Sequence, residues 1–167
     1  MARTRDSSPV KLPPFQRLLD AHGRDVHRFL VATVGSSDAD DCFQETWLAA
    51  LRAYPRLRDA SNLRSWILTI AHRKAIDHIR ARTRHAVPVA DVPEGAGSAA
   101  ATAMAPRDEK LWSHVRKLPA KQRTAIGLRF VADAAYAEIS SVMGTSEEAA
   151  RRNVHEGLKR LRTEYQP

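Results

Sequence analysis

The residues best suited to chemistry lie near the C-terminus and are mostly basic. After Gly144 and Thr145, Ala150, Val154, Leu158 and Leu161 recur at helical spacing and define an inward stripe. That stripe turns Glu148, Arg151, Arg152, His155, Lys159 and Arg162 outward. A shorter amphipathic run with Tyr136, Ile139, Val142 and Met143 precedes the glycine, and Ser146 stands where a helix N-cap belongs. Glu147 and Glu148 then occupy the first turn, where acids suit the helix dipole. Short helix, tight turn with glycine, capped longer helix is the pattern of a helix-turn-helix. The chemistry it offers is non-covalent: guanidinium groups on guanine edges or phosphates in a major groove. An ordinary helical hairpin with a solvated basic face would show the same pattern, so these residues alone leave both readings open.

A second constellation lies on a helix expected from about Leu63 to Arg84. Thr69, Arg73, Asp77, Arg80 and Arg84 share one face, flanked by Lys74 and Arg82, while Leu68, Ala71, Ala75 and Ile79 occupy the opposite one. A basic stripe along a helix suits a phosphate backbone. A third lies on the preceding helix, where Asp41, Gln44 and Glu45 share a face. Adjacent exposed acids rarely carry acid–base catalysis; a docking surface for a basic partner fits better.

Other chemistries lack their residues. Cys42 is the only cysteine, so neither a disulfide nor a cysteine-based zinc site is possible within the chain. The seven histidines have no metal-ligand spacing, and neither a phosphate-cradling glycine loop nor a nucleophile motif is present. No metal, no cofactor and no enzymatic activity are expected. The net charge of +8 and the pI of about 10.2 favour a polyanionic partner. No apolar run approaches the ~20 residues of a membrane span, and Met1 to Lys11 does not read as a signal peptide, which points to the cytoplasm.

The elements that must position these residues are helices throughout. Phe15, Leu18, Leu19, His22, Val26, Phe29, Leu30 and Thr33 form an amphipathic pattern interrupted by Gly23 and broken at Gly35 and Ser36. Asp38 or Asp40 is a candidate cap for the next helix, with Phe43, Trp47, Leu51 and Tyr54 as its apolar stripe and Pro55 beyond its end. Trp47, Trp66 and Trp112 read as core residues. Helical pattern returns at Leu111, Val115 and Leu118 and continues from Ala120 to Val131. Between the helix ending near Arg84 and this return, residues 86–106 are rich in proline, glycine and small side chains and read as a flexible linker. The expected fold is all-α: two small helical domains, about 10–85 and 107–165, the second carrying the helix-turn-helix.

Taken together, these segments resemble a known family. Asp41-Cys42-Phe43-Gln44-Glu45-Thr46-Trp47 is similar to a signature of sigma region 2, the polymerase-binding helix of bacterial sigma factors. Ser65 to Ala71 and Lys74 to Arg80 are similar to the stretch that contacts and helps melt the −10 element. Leu118-Pro119-Ala120-Lys121-Gln122-Arg123 resembles the opening of region 4, and Tyr136 to Ile139, Gly144, Ser146-Glu147 and Lys159 to Arg162 resemble its helix-turn-helix. The resemblance runs over about 12–163 in order, with no further sigma region between, as in the extracytoplasmic-function type.

The resemblance implies a sigma factor that binds core RNA polymerase and promoter DNA, with an anti-sigma protein as a possible further partner. Asp41, Gln44, Glu45 and Trp47 would meet polymerase. Arg58, Asn62, Leu63, Arg73, Lys74, Arg80 and Arg84 would serve the −10 element, the loop from Arg58 with Leu63 and Arg73 forming a pocket for an unstacked base. Ser146, Glu148, Arg151, Arg152, His155 and Lys159 would serve the −35 element. Departures from the family pattern are Arg73, where the family often has asparagine, and Asn153, Glu156 and Gly157 in the recognition helix. Glu156 is expected to pair with Arg152. Gly157 costs roughly 1 kcal/mol relative to alanine and marks an altered reading surface. The competing reading is a sigma-like helix-turn-helix regulator that is not a polymerase subunit.

Overall fold

The computed structural model describes residues 10–85 and 108–165. Among these the regular elements are all helical: α1 (Phe15–Val34), α2 (Ser36–Ala53), a 3₁₀ turn (Tyr54–Arg56), α3 (Leu63–His85), α4 (Glu109–Val115), α5 (Ala120–Phe130), α6 (Tyr136–Met143) and α7 (Glu147–Glu164). The proposed linker, 86–106, lies outside the described residues.

Helix α1 runs unbroken through Gly23, because Leu18, Val26, Phe29 and Leu30 bury one face and that packing outweighs the propensity cost of one glycine. It stops at Gly35, whose φ of 88° is open to glycine and strained for other residues. The chain turns there directly into α2. Neither aspartate caps that helix: the N-cap position belongs to Gly35, and α2 has no side-chain cap. Asp38 lies in its first turn instead, bonds Arg82 at 2.5 Å and stands 3.2 Å from His78 Nε2, tying α2 to the far end of α3. Asp40 pairs with the buried His27 at 2.9 Å.

The expected apolar stripe of α2 needs one correction. Trp47 and Tyr54 are buried, and Phe43 is half-buried, but Leu51 is 51% exposed and points away from the core. Edge-on contacts of Phe15 with Trp47 and Tyr54 join α1 to α2 and the 3₁₀ turn, and Phe43 packs edge-on against Trp47 within α2. The Tyr54 hydroxyl donates to the Pro13 carbonyl at 2.5 Å.

In the second half, Asp108 caps α4 by accepting from the Leu111 amide at 3.1 Å. Helix α6 ends at Gly144 in the left-handed conformation, φ 62° and ψ 41°, with the Thr145 amide returning to the Ser140 carbonyl. Ser146 then caps α7, accepting from the Ala149 amide at 3.1 Å. Gly157 is not on the reading surface. It is buried, and a Cβ there would come within 2.5 Å of Ile126 Cδ1 and 3.4 Å of Gln122 Cβ, so the glycine lets α7 lie close on α5. Gly157→Val is therefore expected to destabilise the protein by about 1–3 kcal/mol through overpacking, despite the better helix propensity. Denaturant unfolding of the purified variant checks this.

The two halves are packed together. One apolar cluster contains Phe29, Leu30, Ile67 and Leu68 of the first half and Ala125, Leu128, Ile139 and Val154 of the second. A smaller cluster of Val115, Leu118, Ile126 and Leu161 holds α4 to the rest of the second half.

Candidate nucleic-acid and polymerase interface

Each sequence-derived group has a definite place. On α2, Asp41, Gln44 and Glu45 are exposed on one face. Leu48 and Leu51 continue that face and are 52% and 51% exposed, although both are large and apolar. The two leucines form a short apolar strip beside the acidic row. Sequence reading missed Leu48 and put Leu51 inside; period counting assigned the helix to a single apolar stripe, whereas it carries two. Trp47 is not on this surface. It is 7% exposed and packed between Phe15 and Phe43, so it shapes the helix and offers a partner no contact area. Cys42, also buried, has its thiol pushed up to about 11 by burial first and then by Glu45, Asp38 and Asp41, which leaves it unreactive.

On α3, Arg73, Arg80 and Arg84 are exposed and Lys74 is half-buried. Asn62 precedes the helix and its side-chain oxygen accepts from the Ser65 amide at 3.0 Å, making it the N-cap of α3. Leu63 is half-buried against the core and Arg58 is exposed in the preceding loop. Leu63 and Arg73 are about 15 Å apart along the axis at 1.5 Å per residue. The row is therefore a long stripe rather than one compact pocket.

His72 lies beside this stripe, and its Nδ1 is buried without a partner. Burial, and then the nearby Arg73 and Arg80 charges, push its pKa down to about 4 from an ordinary 6.5. Burial also lowers His22. Between these two pH values the unfolded chain binds a proton at His72 that the folded chain does not, so stability falls as pH drops from 6.5 towards 4 and levels off below. The expected slope reaches about 1.4 kcal/mol per pH unit. Unfolding curves across this range should be flatter for His72→Gln, and only partly flat because His22 contributes.

On α7, Arg151, Arg152, His155 and Lys159 are exposed, as are Ser146 and Glu148. The two adjacent arginines are held differently. Arg151 lies over the Tyr136 ring, 4.4 Å from its centroid, and 3.6 Å from Glu147. Arg152 pairs with Glu148 at 3.4 Å and not with Glu156 as the sequence suggested. Ser146 spends its side-chain oxygen on the cap. Arg129 also lies over the Tyr136 ring, 5.4 Å from its centroid, so both guanidinium groups gather at a ring that sequence reading had not singled out.

These surfaces meet at a groove of about 440 Å³ between the halves. His72, Ile76 and Arg80 of α3 line one wall, and Gly144, Thr145 and Arg152 line the other. Two helical units, a capped helix-turn-helix and basic rows on α3 and α7 define a nucleic-acid-binding protein. Comparison with known proteins narrows this. Residues 18–85 match the family model for sigma-70 region 2, and residues 108–161 match that for sigma-70 region 4. The chain is 30% identical to the RNA polymerase sigma factor CarQ of Myxococcus xanthus, over 97% of this chain and 93% of that one. It is 33% identical to the ECF RNA polymerase sigma factor SigD of Mycobacterium tuberculosis, over 83% of this chain and 71% of that one. The fold is similar to sigma factor RpoE from Bartonella quintana, solved with the anti-sigma factor NepR, with a TM-score of 0.70, 22% identity and coverage of 91% and 96%. It is also similar to CnrH, solved with the cytosolic domain of CnrY, with a TM-score of 0.65, 21% identity and coverage of 89% and 85%. The chain belongs to the extracytoplasmic-function sigma factors, the subunits that bind core RNA polymerase and direct it to promoters.

Proposed function

We propose that the two halves divide the work of promoter selection, the first docking on polymerase and serving the −10 element, the second reading the −35 element. The observation that carries this is the separation of surfaces: an acidic and apolar face on α2, and basic rows on α3 and α7. Asp41, Gln44 and Glu45, joined by Leu48 and Leu51, meet the core enzyme. Arg73, Lys74, Arg80 and Arg84 hold successive nucleotides along α3. Leu63 and Arg58, at the start of α3, serve a different nucleotide from Arg73, because 15 Å exceeds the size of one base, at about 1.5 Å per residue of helix. Asn62 contributes by fixing the start of α3. Extruding a base costs a few kcal/mol, approximately, which the phosphate contacts help to offset.

In α7, Arg152 and His155 face the groove edge of −35 DNA, while Arg151 is set by Tyr136 and Glu147 for a phosphate or a guanine. The protein acts in the cytoplasm as a polymerase subunit and not as an enzyme. An anti-sigma partner is proposed by analogy with the Bartonella relative.

The test separates phosphate grip from base reading. Arg80→Ala is expected to weaken holoenzyme binding to all promoters about equally and to reduce the salt slope by about one. Binding titrations at several salt concentrations measure both. A change in which promoters are chosen would contradict the phosphate role.

A further inference from the structure

The groove of about 440 Å³ between α3, α5 and α7 is lined by charge of one sign. Arg80 reaches it from α3, Lys121 from the first turn of α5 and Arg152 from α7, and no carboxylate is among the described residues that line it. Among the described residues neither Arg80 nor Lys121 has an acidic partner, and Arg152 has only Glu148, at 3.4 Å and itself 86% exposed. Three cations around one cleft repel one another, and low-dielectric walls focus their field on whatever enters. His72, on the same wall, feels that field: after burial, it is Arg73 and Arg80 that push its pKa down.

The neutral lining adds two other kinds of contact. Thr145 and Asn153 bring a hydroxyl and a carboxamide, and neither side chain makes a hydrogen bond among the described residues. Ile76 and Met143 supply apolar surface. Gly144 leaves a way in, because a Cβ there would meet nothing within 4 Å. The walls are fixed by contacts outside the groove. Arg64 of α3 donates to Glu138 of α6 at 2.6 Å, and Arg123 of α5 donates to the Thr33 carbonyl of α1 at 3.2 Å. A ligand therefore meets a cavity already formed, of a volume within the ~300–1,000 Å³ of small-molecule sites.

We infer that this groove is a binding site for a small organic phosphate of the nucleoside diphosphate class, its phosphates held by Arg80, Lys121 and Arg152 and its base against Ile76 and Met143. Guanidinium forks grip phosphate oxygens two at a time and an ammonium adds a point charge. A carboxylate has too few oxygens to bridge three cations on three helices, whereas a diphosphate has enough. Duplex DNA does not fit: its major groove alone is about 12 Å wide and must receive a whole helix. Thr145 and Asn153 are placed to bond the sugar or the base edge. The site shares Arg80 and Arg152 with the surfaces assigned to promoter DNA, but it stands or falls without DNA.

The experiment titrates the full chain with ADP, GDP and inorganic pyrophosphate by calorimetry, at a constant ionic strength of about 0.15 M so that loose surface association is screened. The His72 ring is followed by NMR in parallel. One of the two nucleotides should bind one-to-one, about tenfold or more tighter than pyrophosphate, because only the nucleotide reaches Ile76 and Met143. The His72 pKa should rise on saturation, since a bound anion favours the imidazolium that Arg73 and Arg80 disfavour. Lys121→Glu should weaken nucleotide binding about tenfold or more, the scale of one charge-assisted hydrogen bond. Arg17→Glu makes the same change of charge at an exposed position of α1 outside the groove, and should leave affinity within about twofold. Circular dichroism confirms that both variants keep their helices. Absence of saturable binding, pyrophosphate as tight as both nucleotides, equal losses in Lys121→Glu and Arg17→Glu, or an unmoved His72 would each overturn the inference. None of these readings contains DNA, so they are separate from failure of the promoter assignments, which would appear in the promoter-binding titrations.

Discussion

Replacing Leu48 and Leu51 together with aspartate is expected to lower affinity for core RNA polymerase about a hundredfold or more without unfolding the protein. Both side chains are half exposed in the free chain, so neither supports the core. On docking, each would bury its remaining apolar surface for about 1–1.5 kcal/mol, half the value of a full leucine, and the introduced acids add a desolvation cost. Two such losses amount to about 2–3 kcal/mol, which with the desolvation cost reaches about two decades in Kd. Glu45→Lys should act in the same direction and more weakly, because an exposed charge contributes less than about 1 kcal/mol per contact. Quantitative pull-down or fluorescence anisotropy with core enzyme measures both. Unchanged affinity in the double leucine variant would move the polymerase contact elsewhere.

The second large effect is expected in α7. Arg152→Ala should reduce discrimination between a native and a scrambled −35 sequence by about 10- to 100-fold, the worth of one good bidentate contact at about 1–3 kcal/mol. Among the described residues Arg152 is tied only to Glu148, at 3.4 Å on an exposed surface, so it is released to DNA at little cost. Arg151→Ala should weaken binding to both sequences more evenly if Arg151 holds a phosphate. Tyr136→Ala should reproduce part of that loss, because the ring that places Arg151 is gone, whereas Tyr136→Phe keeps it. Glu156 has no intrahelical partner among the described residues and stands half-buried beyond the arginines, so Glu156→Gln is expected to leave the −35 preference nearly unchanged. Promoter-binding assays across a −35 mutation series separate these cases.

Much of this architecture can be read from residue order. The helices, the Gly35 break, the Gly144 turn and the Ser146 cap follow from periodicity and from what glycine and serine do to a backbone. What periodicity cannot show is a helix with two apolar faces. On α2 the spacing of Leu51 with Trp47 and Tyr54 fits one inward stripe, yet three-dimensional packing turns Leu51 out beside Leu48. Nor does spacing show which capping group is used. Asp38 and Asp40 are good N-cap types, but Gly35 already starts the helix, which frees both acids for Arg82 and His27.

Gly157 was legible as unusual and not as useful: its cost in a helix interior depends on the residue alone, its value on Ile126 of another helix. The Arg64–Glu138 contact spans 74 residues, and nothing local in either segment announces the other.

The central claim is that this chain gives core RNA polymerase its promoter choice. Run-off transcription with purified core enzyme, with and without the protein, on a library of genomic promoter fragments tests it most directly. Transcripts should start at a small set of promoters sharing −10 and −35 elements, only when the protein is present, and the double leucine variant should abolish them. Specific DNA binding with no stable association with core enzyme and no promoter-dependent transcript would contradict the account and leave a helix-turn-helix regulator in its place.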